Sequence, residues 1–204
     1  EFYRVKKGKK TSILVFAKKE KFKNLIVYCM VNNILNKHGI LSPKLIRNFY
    51  TSNMIEITDL GDKSFYEYIK DKKNKFKDYK KLIEIILKLQ KIKFKKLYNF
   101  GKNKIKFAKY SIRYLHKESD LFFEWYLNFI FNNKNTNKIK KILKKELNII
   151  YKKIYFKNSY FTHRDFHASN IMFSKKKFAV IDSQDAIIGN PLYDVASLID
   201  DVRI

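Results

Sequence analysis

Residues 163–170 read HRDFHASN, and residues 181–185, at the end of the next apolar segment, read IDSQD. One loop therefore carries a histidine, an aspartate and an asparagine at its first, third and eighth positions, and a second aspartate follows. The runs Ile171–Ser174 and Phe178–Asp182, separated by lysines, predict a β-hairpin. Such a hairpin returns Asp182 to the neighbourhood of Asn170. The sequence thus predicts one polar cluster built from a loop and a strand end.

The residue types in this cluster favour phosphoryl transfer. That reaction requires a positioned hydroxyl, bound Mg²⁺ and neutralisation of phosphate charge. We predict that Asp165 is the catalytic residue, which accepts a proton from a substrate hydroxyl or orients that hydroxyl. Asn170 and Asp182 offer the hard oxygen ligands that Mg²⁺ prefers while it bridges ATP phosphates. A carboxylate that ends an apolar strand is costly unless it is paired or coordinated. ATP and Mg²⁺ are therefore the expected cofactors.

Five other polar residues receive supporting roles. His163 is expected to be structural, packing under the loop and bonding its backbone. Asp194 is expected to accept backbone N–H bonds from the loop, and Arg164 to be a structural ion-pair partner of the same carboxylate. Asp185 either binds a second metal or faces solvent. His167 is left open between orienting the catalytic carboxylate, touching substrate and filling space.

Composition limits the other classes of function. The 204 residues carry a formal net charge of +26, but the lysines are spread along the chain among Ile, Asn, Phe and Tyr. We interpret this as a coding bias, since charge alone is a weak functional signal, and expect no dedicated nucleic-acid partner. Lysines interrupt every apolar run before the length that spans a bilayer, so no membrane partner is expected. The single Cys29 fits a reducing cytoplasm. Oligomeric state stays open.

The order of predicted elements indicates an α+β fold with two lobes and a cleft. The first lobe, residues 1–59, has strands at Phe2–Val5, Ser12–Ala17 and Met54–Thr58, an extended run from Pro43 to Tyr50 and a helix over Glu20–Lys37. The second lobe, residues 60–204, has three or four helices from Ser64 to about Tyr155, broken near 99–103 and 132–137. Ser64 and Glu67 match a capping box. The loop, the hairpin and a helix over Pro191–Asp201 complete it.

These motifs together resemble the aminoglycoside-phosphotransferase family, the small-molecule relatives of protein kinases. The segments HRDFHASNIM, IDSQDAIIG (residues 181–189) and YDVASL (193–198) resemble its branch of anomeric N-acetylmuramate and N-acetylglucosamine kinases. Residues 118–127, which include LFFEWY, resemble another segment of that branch. The resemblance implies a two-lobed, protein-kinase-like fold and a small sugar as substrate. It also implies a role in cell-wall recycling.

The same resemblance assigns a nucleotide site. Residues 56–62 (EITDLGD) resemble the inter-lobe hinge, whose main chain at Glu56, Ile57, Thr58 and Asp59 is expected to bind adenine. The strand SILVFA lacks the phosphate-binding lysine of a protein kinase, so the positive charge is assigned to Arg4 of the preceding strand. Because the glycine-rich turn before residue 2 is absent and a helix runs to the last residues, we expect missing sequence at both ends.

Alternatives to the sugar kinase remain open. One is another small-hydroxyl kinase, including an aminoglycoside kinase, although aminoglycosides are polycations and carboxylates are sparse between Ser64 and Tyr155. A second is a catalytically inactive basic binding protein, against which the intact motif argues. The aromatic pair Phe122 and Trp125 is expected in the core rather than as a sugar platform.

Overall fold

The computed structural model describes residues 1–93, 98–131, 136–154 and 158–203. Contacts between Cα atoms divide the chain into two compact units, Glu1–Ala108 with Ser159–Ile204, and Lys109–Asn158. The predicted lobe boundary between residues 59 and 60 lies inside the first unit. No helix within the described ranges has the length and apolarity that a bilayer crossing requires.

A four-stranded antiparallel sheet opens the first unit, in the order β1-β2-β4-β3. Its strands are β1 (Phe2–Lys7), β2 (Lys10–Phe16), β3 (Leu45–Phe49) and β4 (Met54–Thr58). The predicted β1–β2 hairpin is confirmed, and both strands extend further into the basic turn than the apolar pattern indicates. Pairing can continue there because lysine side chains project into solvent without disturbing the main-chain ladder.

Helix α1 (Phe22–Lys37) packs between the sheet and the rest of the first unit. Leu25 and Cys29 contact the sheet residues Val15 and Ile55, whereas a second set of its residues belongs to the larger core. Nine of its 16 residues are buried, because both sides of the helix are covered. The helix begins two residues later than predicted, since Lys19–Lys21 forms a 3₁₀ turn.

Two helices and one hairpin follow in the first unit. Helix α2 (Phe65–Ile69) begins with the predicted capping box of Ser64 and Glu67, and α3 (Phe76–Gln90) buries its apolar face in the larger core. The break predicted near 99–103 is confirmed, but the sequence did not predict its structure, a hairpin in which β5 (Tyr98–Phe100) pairs with β6 (Asn103–Ile105). Gly101 makes the turn possible with a φ of 57°, a left-handed value that suits glycine.

The second unit is helical. It consists of α4 (Ile112–Leu121), a π-helical segment over Phe122–Leu127, α5 (Asn128–Ile130) and α6 (Thr136–Lys153). The break predicted near 132–137 falls largely on residues 132–135, and the predicted helical end near Tyr155 also lies outside the described residues. The core position expected for Trp125 and Phe122 is wrong, since their side chains are 75% and 44% exposed, while Phe123 and Leu127 are buried. Apolar spacing does not identify the covered face.

The predicted loop and hairpin lie between two paired strands of the first unit. Strand β7 (Tyr160–Thr162) pairs antiparallel with β10 (Ile187–Gly189), and the hairpin consists of β8 (Ile171–Ser174) and β9 (Lys177–Val180). A Cβ at Gly189 would lie 2.5 Å from the Thr162 hydroxyl oxygen, so the close approach of these strands requires glycine. Helix α7 (Tyr193–Ile199) follows and is shorter than the predicted 191–201.

Candidate active site

Hydrogen bonds within residues 165–170 fold the loop back on itself. The carbonyl oxygen of Asp165 accepts the backbone N–H of His167 at 3.0 Å and the side-chain amide of Asn170 at 3.1 Å. The Asn170 amide nitrogen also lies 3.1 Å from His167 Nε2, which accepts when the ring proton is on Nδ1. The bond to the Asp165 carbonyl oxygen fixes which way the Asn170 amide nitrogen faces. The Oδ1 atom of Asn170 remains for a ligand, with no donor to it among the described residues.

The hairpin brings Asp182 to the same place, as predicted. The backbone N–H of Ile181 donates to the Asn170 carbonyl oxygen at 3.0 Å, which joins the end of the hairpin to the end of the loop. Asp182 itself has a left-handed φ of 61°, an unfavourable value for a residue with a Cβ. Unfavourable backbone conformations of this kind cluster at functional sites.

Gln184 connects the two carboxylates of this turn. Its side-chain N–H₂ group donates to Asp182 Oδ1 at 2.9 Å and to Asp185 Oδ2 at 3.3 Å. Asp185 is exposed and Asp182 is half-buried. Gln184 is part of the IDSQD motif, but the sequence alone predicted no role for it. The sequence does place aspartates at positions 182 and 185 on either side of Gln184, and a glutamine amide can donate to both carboxylates.

Asp165 is half-buried, and its carboxylate accepts no hydrogen bond within the described part of the chain. Burial raises the pKa of Asp165 above its ordinary value, and the nearby negative charges of Asp185 and Asp182 raise it further, whereas Arg164 and His167 lower it. The hydrogen bond from Ile181 to the Asn170 carbonyl oxygen holds the loop close to the turn after the hairpin. The arrangement leaves the Asp165 carboxylate available to a ligand.

Two buried carboxylates hold the backbone of the loop. Asp194 accepts the N–H groups of His163 at 2.8 Å and of Arg164 at 3.0 Å, which are the bonds expected from the sequence. Asp201 accepts the N–H of Ala168 at 2.8 Å. The role of Asp201 was not predicted from the sequence, because this residue lies beyond the end of α7 and no motif includes it. Hydrogen bonds therefore connect the start of the loop and a point near its end to the C-terminal segment.

Burial raises the pKa of Asp194 to about 7, although its bonds from His163 and Arg164 act in the opposite direction. At Asp201 burial also raises the pKa, but the hydrogen bonds from Ala168 and Arg203 prevail, so the pKa lies below its usual value. The two anchoring carboxylates thus differ in their response to pH.

His163 is fully buried, as predicted, but neither of its ring nitrogens has the predicted hydrogen bond to the loop backbone within the described residues. Its ring contacts Phe166 edge to face, with 6.0 Å between the ring centroids. Burial lowers the pKa of His163 to about 4, even though Asp182 favours the charged form. The imidazole is therefore neutral near pH 7, and its surroundings are those of a packing residue.

A cavity of about 790 Å³ opens beside Asn170 and Asp182 within the first unit. Its lining includes residues of the sheet, the start of α1, residues 57–61 and the loop with its hairpin. Three of the predicted hinge residues, Ile57, Thr58 and Asp59, are among the lining residues. The side chain of Glu56 is not: it bonds to Ser12 and Arg47 within the sheet, because consecutive strand residues point to opposite faces.

Arg4 lies at the rim of this cavity and is bound to two carboxylates. Its guanidinium contacts Asp59 at 2.7 Å and Asp62 at 2.6 Å. Asp59 also accepts the N–H of Gly61 at 2.9 Å. The positive charge of Arg4, which was predicted to contact ATP phosphates, is thus neutralised by two carboxylates of the hinge segment.

The side chains beside the cavity fit Mg²⁺ in their chemistry. The described residues include no cluster of three His, Cys, Asp or Glu side chains suited to a metal. They do offer the amide oxygen of Asn170 and the carboxylate of Asp182, and both residues line the cavity. Mg²⁺ commonly takes one or two protein ligands of this kind and completes its shell with waters and substrate phosphates.

A known sugar kinase is similar in sequence to this chain. The chain is 23% identical over 178 residues to the N-acetylmuramate/N-acetylglucosamine kinase of Caulobacter vibrioides, with 83% of this chain and 48% of that protein covered. It therefore spans about half the length of this curated relative.

Solved structures show the same fold at low identity. Choline kinase LicA from Streptococcus pneumoniae superimposes with a TM-score of 0.58 at 17% identity, covering 97% of this chain and 64% of that one. A thermostable aminoglycoside phosphotransferase APH(4)-Ia, in ternary complex with AMP-PNP and hygromycin B, gives 0.63 at 13% identity, covering 96% and 70%. The α+β, kinase-like fold predicted from the sequence is confirmed.

The model of the phosphotransferase enzyme family (APH) matches residues 2–204, nearly the whole chain. The fixed loop, the hairpin and the cavity all fall within this match. The chain belongs to the phosphotransferase enzyme family.

Proposed function

We propose that this chain transfers the γ-phosphate of ATP to a hydroxyl group of a small sugar. The observation that carries the proposal is the fixed amide of Asn170, a residue that lines the cavity together with Asp182. An amide locked in this way presents an oxygen at a defined position, as a metal ligand requires. The accessible carboxylate of Asp165 in the same loop supplies a base.

The nucleotide occupies the cavity, with its adenine against the hinge residues 57–61. A main chain always carries a donor and an acceptor, so it can recognise a base without particular side chains. The N–H of Thr58 already donates to Lys44 at 2.9 Å. The Asp59 carbonyl and the Leu60 N–H have no main-chain partner within the described residues, and they are the proposed adenine contacts.

Asp165 acts on the acceptor rather than on the nucleotide. Its carboxylate takes the proton from the acceptor hydroxyl as that oxygen bonds to the γ-phosphorus and the bond from phosphorus to the leaving oxygen breaks. Burial raises the pKa of Asp165, which makes it a stronger base than an exposed aspartate. His163 and Asp194 keep the loop in place, and neither touches the reacting atoms.

Asn170 and Asp182 hold Mg²⁺, which neutralises phosphate charge when it is bound. Gln184 fixes the carboxylate of Asp182 and leaves one of its oxygens for the metal. Asp185 is exposed and bonded to the same glutamine, and it contributes less to metal binding than Asp182 does.

The acceptor is the anomeric hydroxyl of N-acetylmuramate or N-acetylglucosamine. The similarity to the Caulobacter vibrioides kinase supports this choice. We place the reaction in the recycling of cell-wall sugars in the cytoplasm, where a buried thiol such as Cys29 stays reduced.

The experiment is a screen of the full chain with labelled ATP, Mg²⁺ and four acceptors: N-acetylmuramate, N-acetylglucosamine, an aminoglycoside and choline. Asp165→Asn should reduce turnover at least about 100-fold while ATP affinity, measured by calorimetry, stays near that of the unmodified chain. Asp71→Asn, which changes an exposed aspartate in the same way, is the matched control and should keep full turnover.

If the chain phosphorylates only the aminoglycoside or only choline, the assignment of an amino sugar as the acceptor is wrong. Loss of ATP binding in Asp165→Asn with turnover retained would overturn the assignment of base and metal ligands.

A further inference from the structure

One side of α1 presents polar groups to the cavity. Lys21, Asn24 and Tyr28 all line it, at intervals of three and four residues that place them on one face of the helix. Asn32, one turn further, continues the same face. Most other positions of this helix are apolar and buried, so a polar line directed into a cavity requires an explanation.

Tyr28 is the central member of this face. Its side chain is only 8% exposed, and burial together with the nearby charge of Asp182 raises the pKa of its hydroxyl above the usual value. The hydroxyl is therefore protonated at every physiological pH. No acceptor for its O–H occurs in the described part of the chain, although the cavity is directly beside it.

Asn32 lies one helical turn from Tyr28 on the same face of α1. Its Oδ1 atom accepts the Ser183 hydroxyl at 2.9 Å, and its buried amide nitrogen has no hydrogen-bond partner within the described residues. Tyr28 lines the cavity, so its hydroxyl can donate to a ligand there. Asn32 is 2% exposed and also receives the Ser42 hydroxyl through its main-chain oxygen at 3.0 Å, so this part of the helix is rigidly held.

The cavity lacks a positive charge where a phosphate-binding strand lysine would stand. Strand β2 contributes Ile13 and Val15 to the wall, and the guanidinium of Arg4 is neutralised by two carboxylates. Two lysines, Lys18 and Lys21, line the cavity and have no carboxylate partner among the residues described. Lys21 is the N-cap residue of α1. It also lies at the positive end of the helix dipole.

We infer that the cavity face of α1 binds the phosphates of the nucleotide, with the Tyr28 hydroxyl as hydrogen-bond donor and the Lys21 ammonium as the cation. This inference rests on the proposed function, because it presumes that the cavity holds ATP. It differs from the expectation for Arg4, whose charge stays in the hinge. A buried donor aimed at an anion in a shielded cavity is worth more than the same donor in water.

Calorimetric titration of the full chain with MgATP and, separately, with adenosine tests this inference. Tyr28→Phe removes one hydroxyl, and Lys21→Gln removes one charge. Their controls are Tyr50→Phe, which deletes the hydroxyl of a half-buried tyrosine outside the cavity lining, and Lys23→Gln, which neutralises an exposed lysine of the same helix that does not line it. Thermal unfolding of each variant measures stability independently.

We expect MgATP to bind about tenfold more weakly to Tyr28→Phe and to Lys21→Gln, which corresponds to about 1.4 kcal/mol each. Adenosine affinity should stay unchanged in both, and the two control variants should bind as the unmodified chain does. Unchanged MgATP affinity in Tyr28→Phe, or an equal loss for MgATP and adenosine, would overturn the phosphate contact. A larger loss in Arg4→Gln than in Lys21→Gln would overturn the assignment of the cation. Failure of the unmodified chain to bind either ligand would instead refute the proposed function itself.

Discussion

The buried histidine of the loop makes stability depend on pH in a direction that can be measured. His163 has no exposed surface, and burial lowers its pKa from 6.5 to about 4. The unfolded chain binds a proton at this residue once the pH falls below about 6.5, whereas the native state does not until the pH nears 4. Stability is therefore unaffected by this group above about pH 7 and is lost as the pH falls from 6.5 to 4.

The size of the loss follows from the pKa difference. One pKa unit corresponds to about 1.4 kcal/mol, so between pH 7.5 and pH 4.5 this one histidine removes about 2–3 kcal/mol of the free energy of unfolding. Single domains are stable by only about 5–15 kcal/mol, so the loss is large enough to measure.

The assay is urea unfolding of the full chain and of His163→Phe at several pH values from 7.5 to 4.5. Phenylalanine keeps an aromatic ring against Phe166 but cannot take up a proton. Other groups, among them Asp194 with its raised pKa, titrate in both proteins, so the difference between the two curves isolates His163. We expect the unmodified chain to lose about 2–3 kcal/mol more than the variant over this range. Parallel curves would show that the imidazole is not held neutral and would refute the argument.

Three further predictions concern the loop, the metal and the charge. Asp201→Ala should lower the free energy of unfolding by about 1–3 kcal/mol, because the buried N–H of Ala168 loses its acceptor; an unchanged urea midpoint would contradict this. Asp182→Asn should abolish turnover at any Mg²⁺ concentration, whereas Asp185→Asn should leave part of it, and equal losses would refute the division of roles. Random-sequence DNA should bind weakly and lose affinity as salt is added, despite the net charge of +26. Submicromolar, salt-resistant binding in a gel-shift titration would restore a nucleic-acid role.

Much of the candidate site was predictable from the sequence because its parts are close along the chain. The hairpin that returns Ile181 to Asn170 spans few residues, so local alternation and a lysine turn were sufficient to predict it. The β4 strand and the capping box at Ser64 are similarly local. The β5–β6 hairpin was missed because one glycine turn outweighed the lysine-rich helical pattern around it.

Contacts between distant segments were not predictable. Ser183 and Asn32 are 151 positions apart, and Arg4 and Asp59 are 55 apart, yet both pairs are hydrogen bonded. Nothing in the sequence indicates which distant residue a given hydroxyl or guanidinium group will bind. The exposure of Trp125 belongs to the same class, since apolar spacing shows that a helix has a face but not what covers it.

The chemically active groups, and the loop and hairpin that gather them, are evident in the amino-acid sequence, because backbone geometry converts short spacings into proximity. The use of each carboxylate depends on the folded chain. Asp194 and Asp201 accept backbone N–H groups, Asp59 neutralises Arg4, and Asp165 stays accessible. The physical reason is that a carboxylate's role depends on its burial and on the donors that surround it, and those donors come from elements that only folding brings together.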